Sequence, residues 1–196
     1  MKATDMLMDE HRVIEQVLDC LEKLADRCAA GKKPDSTSAH EIFDFFRNFA
    51  DHCHHGKEEG HLFPLLEARG LSRQDGPTGV MVHEHEQGRR LLEAMQSAVE
   101  RNLSNDFARF ARDYVKLLRE HIRKEDECLF PMAVRILNLA DAESLTQRFE
   151  HVEHAEMGDG THERYLRLAN ELAKRFGVAQ ASVSSACGCS CGHHRT

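Results

Sequence analysis

Four histidines and two glutamates are spaced so that they can converge on one point inside a helical protein. His54 with Glu58 and His121 with Glu125 both follow the pattern His-x-x-x-Glu, in which the glutamate comes four positions after the histidine. Residues four apart on an α-helix lie on the same face, one turn apart, so each pair directs an imidazole and a carboxylate to one place. The predicted metal ligands are His11, His54, Glu58, His85, His121 and Glu125.

These polar residues stand on the apolar stripes of their helices, where an isolated charge is costly. His11, for example, lies between Leu7 and Ile14 on one face of the first predicted helix. Two ionised glutamates in a protein core need compensation by cations or partners. Mixed nitrogen and oxygen donors without thiolate suit iron best, with manganese or zinc less favoured. The sequence therefore predicts two bridged metal ions, with a position left open where chemistry can occur.

The elements that must position these residues are four long amphipathic helices. Apolar residues recur at spacings of three and four, which is typical of such helices. The predicted helices cover about 5–30, about 36–70, from 77 onward and from 104 onward. Pro64 and Pro131 fall inside the second and fourth helices and are expected to kink them. Short connections predict an all-α, up-down-up-down four-helix bundle.

Three parts of the chain are distinguished by pattern. Residues 1–138 are predicted to form the metal-binding bundle, and 139–176 a C-terminal helical extension packed on it. The extension is interrupted at residues 158–160. Residues 177–196 are predicted to be a flexible tail rich in cysteine and histidine, because they lack the apolar residues that a core needs.

The bundle carries an internal repeat. The segment from His54 to Pro64 matches the segment from His121 to Pro131, and both contain Leu-Phe-Pro after the glutamate. Glu10-His11 in the first helix likewise aligns with Glu84-His85 in the third. The bundle is therefore interpreted as two helical hairpins, each giving one lone histidine and one His-x-x-x-Glu pair.

Over about residues 5–138 this arrangement resembles the hemerythrin-like, or HHE cation-binding, domain. The doubled His-x-x-x-Glu with Leu-Phe-Pro is a specific motif. The resemblance implies a non-haem di-iron cofactor, that is, two iron ions with a bridging oxo or hydroxo group. It also implies that one side is served by His11 and His54 and the other by His85 and His121, with Glu58 and Glu125 bridging. From the residues alone, which histidines share an iron stays open.

One departure from the oxygen-carrying hemerythrins affects the predicted function. Those proteins place a second histidine one turn before the third-helix ligand, where this chain has Met81. A four-histidine site looks more like the stress-response and iron-repair members of the family. The resemblance thus implies handling of peroxide, oxygen or nitric oxide in stress response or iron-cluster repair. The alternative is an iron or oxygen sensor that binds without turnover, so enzymatic activity stays open.

Several other polar residues are expected outside the ligand set. Three histidines of helix two are out of phase with the ligands and are expected to face solvent or to support the ligands from outside: His52, His55 and His61. Glu59 is expected in the hydrogen-bonding shell around the ligands or on a solvated face, because Asp126 matches it in the repeat. Three later histidines are expected at the surface, from where one of them could reach the entrance of the site: His151, His154 and His162.

The seven cysteines fall into two groups. Four stand singly in helical patterns and are expected to behave as small core residues: Cys20, Cys28, Cys53 and Cys128. The tail holds Cys187, Cys189 and Cys191 beside two histidines, and two interpretations stay open. It binds soft metals such as copper(I) or zinc, or it is an unstructured segment with reactive thiols.

Composition excludes several other classes. The formal net charge of −7 argues against nucleic-acid binding, and no apolar run is long enough to span a membrane. The first residues show no signal peptide, which predicts a cytoplasmic protein. A ferritin-like bundle needs two Glu-x-x-His motifs, and only Glu58-x-x-His61 is present. The expected partners are therefore small molecules, namely oxygen, peroxide or nitric oxide.

Overall fold

The computed structural model describes residues 1–74, 76–156, 158 and 160–182. The α-helices of the bundle are α1 (Lys2–Ala29), α2 (Ser36–Phe45), α3 (Phe63–Ala68), α4 (Pro77–Glu100), α5 (Ser104–Lys124) and α6 (Phe130–Ile136). The π-helical segments of the bundle are π1 (Phe46–His55), π2 (Glu58–Leu62) and π3 (Glu125–Leu129). After the bundle come α7 (Leu139–His151), π4 (Val152–Glu156) and α8 (Thr161–Phe176).

Four long helical rods form the bundle. Two of them are single α-helices, α1 and α4, and two are composite rods that run through 36–68 and 104–136. Both α1 and α4 pack against α5, and α2 packs against α1 and α4. The described ranges contain no β-strand. The prediction of an all-α, up-down-up-down four-helix bundle is confirmed.

Both internal prolines follow a π-helical turn that begins at a candidate metal ligand. The N–H of Phe63 donates to the carbonyl of Glu58, and the N–H of Phe130 donates to the carbonyl of Glu125. Proline cannot donate this kind of bond and its ring crowds the preceding turn, so a wider turn just before it relieves the conflict. The distortions expected at the two prolines therefore take the form of π turns.

These wider turns shift which side chains face the core. Cys128 was predicted to be a core thiol from 3.6-residue periodicity, and this prediction is wrong because Cys128 is exposed. Leu129 takes the inward position instead, at 1% exposure. In contrast, Cys20, Cys28 and Cys53 are buried free thiols as predicted.

The bundle interior has two apolar clusters with the candidate ligands between them. The larger cluster includes Ile14 of α1 and Leu92 of α4, and the smaller includes Leu7 of α1 and Met81 of α4. His11 and His85 each fall between the two cluster residues of their helix. The polar site therefore forms a layer enclosed by apolar side chains on both sides along the bundle.

The C-terminal helices contribute to both clusters. Phe149 of α7 packs in the smaller cluster, while Tyr165 and Phe176 of α8 pack in the larger one. Gly158 and Gly160 have φ values of +85° and +78°, which only glycine adopts readily, where the chain turns into α8.

The cysteines of the tail, Cys187, Cys189 and Cys191, lie outside the described residues, so the predictions about them stay predictions. Within the described residues, no helix combines the length and the apolar character that crossing a membrane requires.

Candidate metal centre

The six predicted ligands come together in one buried layer of the bundle. The exposed fraction of each side chain is 0% for His11, Glu58 and Glu125, 1% for His54 and His85, and 2% for His121. They come from all four rods, as the repeat predicts.

The four histidines meet as two pairs through their Nε2 atoms. His11 Nε2 lies 3.0 Å from His54 Nε2, and His85 Nε2 lies 3.1 Å from His121 Nε2. The ring centroids of the two pairs are 4.6 Å and 4.7 Å apart. Each pair joins one lone histidine to one histidine of a His-x-x-x-Glu motif.

The two glutamates span the gap between the histidine pairs. Oε2 of Glu125 lies 3.2 Å from the Nε2 atoms of both His11 and His121. The two oxygens of Glu58 divide between the other two histidines, at 3.7 Å and 3.5 Å from their Nε2 atoms. Each carboxylate therefore contacts one histidine of each pair, which is the geometry that a bridging ligand requires.

A second carboxylate is hydrogen-bonded to Nδ1 of every ligand histidine, on the opposite side of the ring from Nε2. The Nδ1 contacts are His11 with Asp126 at 2.7 Å, His54 with Glu10 at 2.9 Å, His85 with Glu59 at 2.8 Å, and His121 with Glu84 at 3.0 Å. An ionised carboxylate only accepts hydrogen bonds, so each Nδ1 carries the proton and donates it. With the proton at Nδ1, the neutral form of each ring has its lone pair at Nε2, where a cation between the rings would bind.

These four supporting carboxylates follow the internal repeat. Glu10 and Glu84 each precede a lone histidine, and Glu59 and Asp126 each follow a motif glutamate. Glu59 was expected either in this shell or on a solvated face, and the first alternative is confirmed.

The repeat aligned Glu10 with Glu84, but the sequence reasoning gave neither residue a role. Their position immediately before His11 and His85, in both halves of the repeat, could have indicated a role beside the ligands.

Basic residues complete the shell in the same symmetric way. Lys57 Nζ lies 2.5 Å from Glu10 Oε1, and Lys124 contacts Glu84. The remaining two carboxylates are bound by arginines, Asp126 by Arg12 and Glu59 by Arg89. Each supporting carboxylate is thereby paired with a basic residue that fixes its position.

The two central glutamates differ in their electrostatics, and it is Glu58 whose charge needs a cation. None of the described residues hydrogen-bonds to any of their four carboxylate oxygens. Burial, together with the charge of Glu125, raises the pKa of Glu58 well above its usual value. Burial opposes ionisation of Glu125 as well, but His121 and His11 outweigh it and hold its pKa well below the usual value.

The donor set fits a pair of metal ions. Four imidazole nitrogens with fixed tautomers and two buried carboxylates without hydrogen bonds meet within a few ångströms of one another. Two groupings of buried candidate ligands result, and Glu58 belongs to both. One contains His11, His54, Glu58 and Glu125; the other contains His55, Glu58, His85 and His121.

His55 is the residue of this site that the sequence reasoning placed least well. Of its two expected roles, exposure to solvent is wrong because only 6% of the residue is exposed, whereas support of the ligands from outside was also expected. Its ring stacks on His85 with centroids 3.7 Å apart and planes inclined by 13°. The repeat could have indicated that His55 is buried, because it matches the apolar residue Ile122. His52 is exposed and His61 is half-buried.

One half of the centre is also tied to the C-terminal helices. Lys57 is fully buried, and its Nζ lies 2.5 Å from carboxylate oxygens of both Glu10 and Glu153. His162, predicted to be a surface residue, is 18% exposed and lies 3.5 Å from Glu10. The chain of contacts runs from His54 through Glu10 and Lys57 to Glu153. The matching Lys124 is 35% exposed.

Comparison with known proteins agrees with this geometry. Residues 2–133 match the family described as the Hemerythrin HHE cation binding domain. Proteins named as uncharacterized from Mycobacterium bovis and Mycobacterium tuberculosis are 24% identical over 188 residues, covering 92% of this chain and 72% of the relative.

A further relative shares a shorter segment. The iron-sulfur cluster repair protein YtfE of Musicola paradisiaca is 34% identical over 91 residues, covering 42% of this chain and 40% of the relative. No solved structure matches at a significant level. The family match covers most of the chain and contains all six predicted ligands, and we conclude that the chain belongs to the hemerythrin HHE cation-binding domain family.

Proposed function

We propose that this protein is a non-haem di-iron protein that handles peroxide, oxygen or nitric oxide in stress response or iron-cluster repair. The observation that carries the proposal is the pair of imidazole clusters bridged by two buried carboxylates without hydrogen bonds. Such a nitrogen and oxygen donor set favours iron, with zinc and manganese less favoured.

Each residue of the site has a definite part in this proposal. His11 and His54 hold one ion, His85 and His121 hold the other, and Glu58 and Glu125 bridge them. The four supporting carboxylates fix the histidine tautomers, which raises their basicity as ligands. When bound, the ions supply one-electron redox chemistry and an open position for a small molecule.

The surroundings of the site suit redox chemistry in a dry pocket. Phe130 stacks on His11 with ring centroids 5.5 Å apart, and Phe63 stacks on His85 at 6.0 Å. These rings exclude water from the ligand layer and keep the imidazoles in place. Met81 is 2% exposed and packs in the adjoining apolar cluster, and its thioether side chain has no nitrogen to offer the centre.

The relation to an iron-sulfur cluster repair protein supports the repair alternative within this class. That relative matches less than half of either chain, so its printed role comes to this protein only as a hypothesis. The buried thiols Cys20, Cys28 and Cys53 are free, as is usual in a reducing compartment, which supports a cytoplasmic location.

A second function is favoured by the contact between the centre and the C-terminal helices. Glu153 and His162 lie against the Lys57–Glu10 pair that supports His54. Loss of metal would leave buried charges uncompensated near this contact, and metal binding can thereby be coupled to the packing of the extension. This is the arrangement that an iron or oxygen sensor without turnover would need.

The two functions differ in what the iron-loaded protein does. We expect the loaded protein to consume peroxide catalytically or to bind nitric oxide, as followed by oxygen release and by absorption spectra. Metal-free protein is the matched control. Absence of both reactions, together with proteolysis near residues 152–162 that depends on metal, would overturn the first function and support the second.

A further inference from the structure

We propose that His55 is an additional ligand of the ion held by His85 and His121, so that the two metal positions are unequal. The inference rests on the proposed di-iron centre and concerns how its two positions differ. It assigns three imidazoles to one ion and two to the other.

The position of His55 supports this assignment. Its ring lies 3.7 Å from the ring of His85 in a parallel stack and 5.7 Å from the ring of His121 at an angle of 79°. Candidate ligand atoms of His55, Glu58, His85 and His121 all lie within 4.8 Å of one another. The ligand atoms of these four residues are therefore close enough together to hold a single ion.

The local helix geometry explains how two consecutive histidines both face the site. His54 and His55 are the last residues of π1, and both are buried. A π-helical turn contains more residues than an α-helical turn, so the inward face accepts an additional side chain. An α-helix with the same sequence would direct the two rings about 100° apart.

His55 is held in the same way as the four other histidines. Its Nδ1 donates to Asp51 at 3.2 Å, and Arg89 binds the same carboxylate at 2.8 Å. Support of Nδ1 by a carboxylate orients the ring and leaves the Nε2 lone pair for a metal.

The repeat shows where the two halves of the centre diverge. The residue that matches His55 in the second half is Ile122, which is 3% exposed and has no donor atom. The ion held by His11 and His54 therefore has no third imidazole from this position. It keeps more open coordination, and small molecules should bind there first.

The test compares variants that separate ring packing from metal binding. His55→Phe keeps an aromatic ring against His85 but has no donor atom, and His55→Ile introduces the residue of the matching position. His52→Gln is the control, because His52 is exposed and lies in the same helix. Circular dichroism of the metal-free proteins shows whether each variant folds.

The readouts are Mössbauer spectra of protein loaded with iron-57 and the rate of iron release to a chelator. The wild type should show two unequal iron sites, and His52→Gln should match it. Both His55 variants should change only one of the two sites and release that iron at least about ten-fold faster.

The outcomes separate the inference from the proposed function. Two irons whose spectra and release rates are unchanged in His55→Phe and His55→Ile would overturn the inference and leave the di-iron proposal standing. A wild type that holds no iron would overturn both. If His55→Ile fails to fold, His55→Phe alone decides between packing and ligation.

Discussion

Glu58 is fully buried, and neither of its carboxylate oxygens receives a hydrogen bond from any described residue. Replacing it with glutamine removes the buried charge while keeping the size and shape of the side chain. In the metal-free protein we expect Glu58→Gln to be stabilising, because the raised pKa of Glu58 shows that burial works against the ionised form. An unsatisfied buried polar group costs about 1–3 kcal/mol, and a charged one more.

In the iron-loaded protein the same substitution should have the opposite consequence. Glu58 bridges both ions in the proposed centre, so its loss should weaken the binding of each. If each affinity falls about ten-fold, the stabilisation gained on loading falls by about 3 kcal/mol, because each ten-fold change is about 1.4 kcal/mol. For a chain of this length, 1 kcal/mol corresponds to about 2–4 °C in Tm.

The assay is thermal unfolding of wild type and variant, each with and without iron. Glu58→Gln should raise the Tm of the metal-free protein by several degrees and sharply reduce the increase that iron produces. Glu127→Gln is the control, since Glu127 is 62% exposed and its ion pair within the described part of the chain is with the exposed Arg123. A lower Tm in the metal-free variant, or an undiminished iron-dependent increase, would refute the reasoning.

Three further predictions concern the surroundings of the centre. Lys57→Met should cost about 3–5 kcal/mol in denaturant unfolding because it leaves buried carboxylates uncompensated. Lys124→Met, at the matching but partly exposed position, should cost less than about 1 kcal/mol, and equal costs would contradict the account. Burial raises the pKa of Cys53 to about 12, so an alkylating reagent at pH 8 should modify Cys128 and spare Cys53, as read by mass spectrometry. Burial opposes ionisation of Asp51, but hydrogen bonds from its neighbours outweigh this and lower its pKa from 3.8 to about 2. A carboxyl group whose pKa is lowered by folding stabilises the folded protein at pH values above its usual pKa. This contribution is lost as the pH falls toward 2. In the metal-free protein, Asp51→Asn should therefore make the fall in the free energy of unfolding between about pH 4 and 2 less steep. An unchanged slope in that range would contradict this.

Much of the fold could be predicted from the sequence because helix periodicity and the repeat act over long segments. The first helix was predicted at about 5–30 and is observed at Lys2–Ala29. The convergence of His54 with Glu58 followed from their spacing, which places both on one face in an α-helix and in the wider turn that the structure has.

The errors have a common physical cause in the π turns. Predictions for Cys128 and His55 assumed 3.6 residues per turn, whereas both residues lie in π-helical segments. Each wider turn shifts the phase of the residues within and after it. Pro64 and Pro131 indicated a distortion, but not that the distortion would be a change of phase.

The supporting shell was only partly predictable because it depends on contacts between distant segments. Glu10 and His54 are 44 residues apart, and Asp126 and His11 are 115 residues apart. No local pattern specifies such pairs. Only the recurrence of the acidic residues beside the ligands in both halves pointed to them.

The central claim is tested most directly by the iron content of purified protein after anaerobic reconstitution, measured together with its absorption spectrum. The account predicts two irons per chain in the wild type, an oxo-to-iron charge-transfer band after exposure to air, and loss of metal when Glu58→Ala is combined with Glu125→Ala. Fewer than one iron per chain in the wild type, or full retention of metal in the double variant, would contradict it.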